Sequence, residues 1–159
     1  MADIVVDGKT RCAYVPTIAN IAAPTTTELN AGILLQSTLT ASGLAGFQPE
    51  TATVDTSSMA STFNTAVNGK TSFSGVRLQF KKQTGTDTIY DTLVRGTTGY
   101  IVIRRSTTES TAWASSQKVS VYPIECGEVA HMDPEENTVE RYEVPLTITS
   151  APSLRAAVA

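Results

Sequence analysis

The stretch Thr88–Arg105, TIYDTLVRGTTGYIVIRR, contains a helix signal followed at once by a strand signal. Asp87 is a favoured helix N-cap and Gly96 a natural C-terminal stop, so the pattern predicts a short α-helix over about 87–95. A helix of about two turns needs a packing partner to be stable. Its predicted packing face consists of Ile89, Tyr90, Leu93 and Val94.

The run after this helix predicts a deeply buried strand. Residues 100–103 (YIVI) are apolar at every position, which is typical of a strand covered on both faces. The predicted helix would cover one face and other sheet the second. Arg104 and Arg105 are expected to return the chain to solvent. Upstream, Val76, Leu78 and Phe80 alternate with polar residues and predict a half-buried strand.

Turn and loop signals divide the rest of the chain. Asp7-Gly8 between two apolar runs predicts a hairpin, and Asn68-Gly69 is a second turn signal. The segment 16–32 lacks a clear period and predicts an extended arm or large loop. The polar loop 106–117 carries Trp113, which is either a core plug or a contact anchor.

Negative charge is concentrated near the C-terminus, although the whole chain carries a net charge of only -3. We expect a long β-hairpin over 119–149, turning near residues 133–137, and a flexible tail over 150–159. This predicted hairpin contains seven acidic residues and only one basic residue, Arg141. The acids are Glu125, Glu128, Asp133, Glu135, Glu136, Glu140 and Glu143.

Composition argues against an enzyme. The chain of 159 residues predicts one domain, 1–159, and no apolar run is long enough for a membrane span. The N-terminus lacks the pattern of a signal peptide. His131 is the only histidine, Cys12 and Cys126 lack metal-ligand spacing, and no phosphate-binding loop is present. We therefore expect no catalytic residues, cofactor or metal, and two free buried thiols.

Several stretches together resemble one family. VDTSSMASTFNT, SFSGVRLQF, TDTIYDTLVRGTTGYIVIRR and RYEVPLTIT, in this order, resemble the major tail tube proteins of long-tailed bacteriophages, closest to those of phages infecting actinobacteria. ELNAGILLQSTLT is also similar to that family's segment after its N-terminal strands. The resemblance implies a mainly β fold, a β-sandwich or partial barrel with one short flanking α-helix.

The resemblance also implies a structural role in the virion. Six subunits would form a ring, and rings would stack into a hollow tube that conducts double-stranded DNA without binding it specifically. Implied partners are the tape measure, tail terminator and tail tip proteins, with assembly in the host cytoplasm. Joining of strands between subunits would remove exposed sheet edges.

Two sets of residues are candidate sites under this resemblance. Acids on the hairpin would line the lumen and repel DNA, or would instead meet basic residues of the next ring. These acids are Glu125, Glu128, Glu140 and Glu143. Contacts between subunits or rings are expected from the arm, the loop and two basic pairs. They comprise Ala22, Pro24, Thr25, Thr26, Lys81, Lys82, Arg104, Arg105 and Trp113.

Other functions fit the same composition. A Thr-rich, weakly charged β surface also suits a monomeric binding module, such as an adhesin or a capsid decoration domain. A tube from a contractile tail would share the fold. The sequence does not separate these alternatives.

Overall fold

The computed structural model describes all residues from 1 to 159 and is mainly β, which confirms the predicted fold class. It contains eleven strands and two short helices. In chain order they are β1 (Arg11–Val15), α1 (Thr26–Asn30), β2 (Ile33–Leu34), β3 (Leu39–Ala45), β4 (Glu50–Asp55), β5 (Ala66–Ser72), β6 (Arg77–Lys81), α2 (Thr88–Thr92), β7 (Thr98–Arg104), β8 (Lys118–Cys126), β9 (Ala130–His131), β10 (Arg141–Ile148) and β11 (Ser153–Ala157).

Nine of the strands form one sheet that curls into a half-barrel. Its order is β2-β1-β7-β8-β10-β6-β3, while β11 pairs with β8 and β9 pairs with β10. The two end strands, β2 and β3, are joined by residues 35–38. The remaining strands, β4 and β5, form a separate two-stranded sheet.

Two hydrophobic cores lie on opposite faces of the central strands. Ile101 and Ile103 of β7 belong to the larger core, inside the curl, and Val102 belongs to the smaller core on the other face. All three side chains are almost fully buried. The prediction of a strand covered on both faces is confirmed.

Helix α2 closes part of the larger core. The Asp87 side chain accepts a hydrogen bond from the backbone N–H of Tyr90, which confirms the predicted N-cap. The helix ends at Thr92, earlier than predicted, with Leu93 as its C-cap. Ile89 and Leu93 are buried, but Val94 is 50% exposed and lies outside the packing face. Because the helix ends at Thr92, Val94 is not part of it and its side chain does not lie on the face that packs against the core.

The segment 16–32 is a folded part of the subunit rather than an extended arm. It contains a second helix, α1, whose N-cap Thr25 and third residue Glu28 form a complete capping box. Ile18 and Leu29 are buried in the smaller core. Backbone N–H groups of the last residues bond to this segment, from Ala157 to Ala22 O and from Ala159 to Pro24 O.

Both chain ends differ from the sequence predictions. The predicted flexible tail 150–159 is β11, which pairs with β8 and buries Ala156 and Val158. Ala156 and Val158 are two residues apart, so both point to the same side of the extended chain and pack in the smaller core. At the other end no strand precedes β1 because both edges of β1 are already paired, with β2 and β7. Ile4, Val5 and Val6 remain exposed.

Gly46 gives a testable prediction at the root of the β4–β5 sheet. Its φ is +81°, and an added Cβ would lie 2.3 Å from the carbonyl oxygen of Gly75. We expect Gly46→Ala to lower the free energy of unfolding by about 3 kcal/mol, because left-handed strain adds to a backbone clash. The matched control is Gly85→Ala, since Gly85 has a φ of +79° but nothing within 4 Å. Urea unfolding that gives equal losses for both variants would contradict the clash.

Candidate functional site

The hairpin formed by β4 and β5 stands apart from the rest of the subunit. Every residue of β4 is exposed, and in β5 only Gly69 is partly covered. None of residues 50–72 belongs to either core. We refer to residues 50–72 as the projecting hairpin. Isolated two-stranded hairpins are marginally stable in water.

One face of the projecting hairpin is apolar. Val54 and Val67 are directly opposite each other in the strand register and are 51% and 54% exposed. Thr51 and Thr71 are also paired. Thr51 lies an odd number of residues from Val54 along β4, so this pair lies on the other face. The connection 56–65 exposes Met59 and Phe63. The projecting hairpin thus leaves four large apolar side chains in water, and contiguous exposed apolar patches are typical of interaction surfaces.

The projecting hairpin was not found by sequence reasoning, and the predicted turn at Asn68-Gly69 is wrong. Both residues lie within β5, where the register shifts between Thr51 and Thr53 of the partner strand. A bulge accepts Asn and Gly as readily as a turn does. The sequence from Glu50 to Ser72 lacks the alternation of large apolar and polar residues that is typical of a strand packed on a core. That absence could have predicted a hairpin outside the core.

Strands β8 and β10 pair as the two sides of the predicted acidic hairpin, though only Ile124–Cys126 contact β10 directly. Glu125 is paired with Thr147, and Glu143 lies on the same outer face of β10. Glu128 and Glu140 are exposed in the connection between the strands. Glu143 is 3.6 Å from the guanidinium of Arg77. Arg77, Lys81 and Arg141 occupy register positions on that same face, so the face itself carries both signs of charge.

The predicted contact residues of segment 16–32 are divided between surface and interior. Ala22 and Thr25 are exposed and Thr26 is partly covered, whereas Pro24 is buried within the subunit. Pro24 is therefore not available as a contact. Its carbonyl accepts the backbone N–H of Ala159, which holds the C-terminus.

The two basic pairs also differ in their surroundings. Lys81 is half-buried at the end of β6, and Lys82 lies 3.8 Å from Asp87 with its Nζ 3.5 Å from the Tyr90 ring centre. Arg105 is exposed. Arg104 is 0% exposed, so the prediction that it returns to solvent is wrong.

Arg104 is buried because it organises the loop 106–117. Its guanidinium donates to four acceptors of the loop at 2.8–3.2 Å. They are the carbonyls of Thr108, Thr111 and Ala112 and the side-chain oxygen of Gln117. Burial lowers the pKa of Arg104, and the nearby charge of Arg11 lowers it further.

Trp113 is a core plug, which removes it from the candidate contacts. It is 5% exposed and belongs to the smaller core. The guanidinium carbons of Arg11 and Arg104 lie 5.0 and 5.2 Å from its ring centre. Such cation–π contacts are strongest when the cation is desolvated, as here. The loop is thus locked onto the subunit by two arginines and one tryptophan.

Three further features concern metal binding, membrane spanning and the thiols. No group of three or more His, Cys, Asp or Glu side chains is placed to hold a metal ion. None of the helices has the length and apolar character needed to cross a membrane. Cys12 and Cys126 are free and buried, and burial raises their pKa to about 12 and about 11.

Comparison with known proteins gives matches of two kinds, to a family model and to solved structures. The model of a family described as phage tail tube protein matches residues 1–159. A chain in the cryo-EM structure of the anti-feeding prophage baseplate, which was symmetrised sixfold, has a similar fold with a TM-score of 0.63. That alignment covers 94% of this chain and 95% of the other at 8% sequence identity. No curated protein matches the sequence.

Proposed function

The chain belongs to the phage tail tube protein family, and from this premise we propose that it assembles into hexameric rings that stack into a hollow tube for DNA. Members of this family are structural components of the phage tail, not enzymes. The protein is therefore a virion component. The closer likeness to tube proteins of actinobacterial phages stays a prediction.

The observation that carries the proposal is the projecting hairpin. A sheet of two strands with both faces in water has no packing partner in its own subunit. Its apolar Val54–Val67 pair and the exposed Phe63 would be covered by an adjacent copy. The same contact repeated from copy to copy generates an open filament or a closed ring. The sixfold baseplate whose chain shares this fold supports six copies per ring.

Light scattering followed by negative-stain electron microscopy of the purified protein tests this proposal. We expect discrete rings or hollow tubes of regular width. A strict monomer at high concentration, also in the presence of the tail tip proteins, would favour the alternative of a monomeric binding or decoration module. Six subunits per ring can be counted in averaged end views.

The other partners follow from the role in the tail. A tape measure protein, a tail terminator protein and tail tip proteins would be further partners, as the family resemblance implies. Double-stranded DNA would pass through the lumen without specific binding. Assembly would take place in the host cytoplasm before the tail joins the virion.

Acidic residues around β8 and β10 are proposed to line the lumen. Glu125, Glu128 and Glu140 are exposed, and none of the three is within 4.0 Å of a cation. Sixfold repetition of these charges would create a negative field that repels DNA and lets it slide.

A charge-reversal variant tests whether these acids lie in the lumen or at the interface between rings. We expect Glu125→Lys, Glu128→Lys and Glu143→Lys together to leave tubes of normal shape but to reduce DNA delivery at least tenfold. Infectivity of phage carrying the variant, with tail counts by microscopy, measures this. Complete loss of tubes would instead place the acids between rings. The matched neutral variant replaces the same residues with Gln.

A further inference from the structure

Residues 3–7, which we call the N-terminal segment, have the composition of a strand but no strand partner in their own subunit. Ile4, Val5 and Val6 are 58%, 67% and 74% exposed, and none of them belongs to either core. The turn that follows is closed by a hydrogen bond from the backbone N–H of Lys9 to the carbonyl of Val6. Three consecutive β-branched residues favour extended backbone. The subunit therefore leaves a strand-forming sequence unpaired.

Strand β5 of the projecting hairpin has a free edge. It pairs with β4 alone, so its second edge carries backbone N–H and C=O groups without a strand partner. An exposed edge of this kind is a template for pairing with another chain. Three strands with an apolar face are more stable in water than two. The free edge thus offers a place for one further strand.

Charge distinguishes the two edges of the projecting hairpin. Strand β4 carries Glu50 and Asp55 and no base, whereas β5 carries Lys70 and no acid. The N-terminal segment carries two acids, Asp3 and Asp7, and no base. Neither these two acids nor Lys70 takes part in an ion pair within the subunit. The N-terminal segment is therefore complementary in charge to β5, whereas β4 would repel it.

An antiparallel register matches both the charged and the apolar positions. Val67 and Lys70 are three residues apart, as are Asp3 and Val6. With Val6 opposite Val67, the carboxylate of Asp3 comes beside Lys70. Val6 then extends the exposed row that Val54 and Val67 already form across the projecting hairpin. Apolar and opposite-charge pairs across strands both stabilise a sheet.

We infer that the N-terminal segment of one copy adds as a third, antiparallel strand to the free edge of β5 in an adjacent copy. Backbone pairing uses residues 66–68, where the register of β5 with β4 is unbroken, and the Asp3 carboxylate meets the Lys70 ammonium. This inference rests on the proposed assembly and adds to it the identity of one contact. Each copy gives one strand and receives one, which is the head-to-tail arrangement of a ring or filament.

Proline substitution tests the strand pairing. We expect Val5→Pro with Val6→Pro to raise the protein concentration needed for assembly about tenfold or more, because one of these two N–H groups faces β5 in the added strand. The urea midpoint of the subunit should not change, since neither residue lies in a core. The control is Ala2→Pro, outside the N-terminal segment, which should assemble as the wild type does. A double proline variant with a wild-type assembly concentration would overturn the inference.

A charge exchange tests the register. Asp3→Lys and Lys70→Glu should each raise the assembly concentration about threefold or more, because each places like charges side by side. Combined in one chain, they should bring it back to within about twofold of the wild type, since the pair is restored with opposite signs. Asp133→Lys changes an exposed acid elsewhere and should give no such recovery when combined with Lys70→Glu. Losses that add in the Asp3–Lys70 double variant would contradict the contact.

Cysteine cross-linking identifies the edge. Val6→Cys with Val67→Cys should give disulfide-linked oligomers in assembled protein, whereas Val6→Cys with Val54→Cys, one strand further away, should not. Cys12 and Cys126 are buried and do not compete. Tubes whose cysteines link through position 54, or do not link at all, would overturn this contact and leave the tube function standing. A wild-type protein that forms neither rings nor tubes would count against the proposed function itself.

Discussion

Replacing residues 50–72 by a short glycine-rich turn is expected to give a folded subunit that forms neither rings nor tubes. The excised strands pair only with each other and contribute no core residue. Phe47 and Val76, which flank the cut, remain in the larger core. The free energy of unfolding should therefore change by less than about 1 kcal/mol, whereas assembly should be lost. Urea unfolding and negative-stain microscopy measure the two effects.

A milder variant separates the apolar face from the hairpin as a whole. Val54→Thr with Val67→Thr keeps β-branched side chains of similar shape and removes only the apolar surface. We expect weaker assembly and an unchanged fold. Thr51→Val with Thr71→Val on the opposite face is the control. Normal tubes from the chain without residues 50–72 would remove the projecting hairpin from the assembly mechanism.

Arg104→Ala should be among the most destabilising substitutions in this protein. It removes four hydrogen bonds to the loop 106–117 and one of two cations on Trp113. Three of the acceptors are backbone carbonyls, and each of them keeps one other donor after the substitution. We expect a loss of about 3 kcal/mol in the free energy of unfolding. Fluorescence of Trp113, the only tryptophan, reports the loop directly.

The neighbouring arginine is a matched control for this effect. Arg105 is exposed, so Arg105→Ala should change stability by about 0.5 kcal/mol or less. Arg104→Lys should be nearly as damaging as Arg104→Ala, since a lysine cannot reach four acceptors spread over the loop. Equal stability of Arg104→Ala and Arg105→Ala would show that the buried network contributes nothing.

Local patterns in the sequence predicted the centre of the fold. The alternation around Leu78, the cap at Asp87 and the apolar run 100–103 each depend on neighbours within a few residues. Such signals lie within short stretches of the chain, so strand β6, helix α2 and strand β7 occur close to their expected positions, although α2 ends earlier than predicted. The family resemblance rested on these stretches together with others, and membership of the phage tail tube protein family is confirmed by the match over residues 1–159.

Long-range pairing explains the errors. Residues 150–159 have the composition of a flexible tail. They are ordered because β11 pairs with β8 and because Ala156 and Val158 pack in the smaller core. Arg104 looks like a surface residue until the loop 106–117 folds over it with carbonyls pointing inward. The first apolar run is no strand because β2 and β7 occupy both edges of β1. None of these partners is close in sequence.

The sequence by itself determined a mainly β subunit with a capped helix, a strand covered on both faces and an excess of acid near the C-terminus. Only the tertiary structure decided which surfaces remain for other copies. Exposure depends on what the rest of the chain covers, and the rest of this chain leaves strands β4 and β5 almost entirely exposed. The same folding that buried Arg104, Trp113 and Pro24 left Val54, Val67 and Lys70 in water.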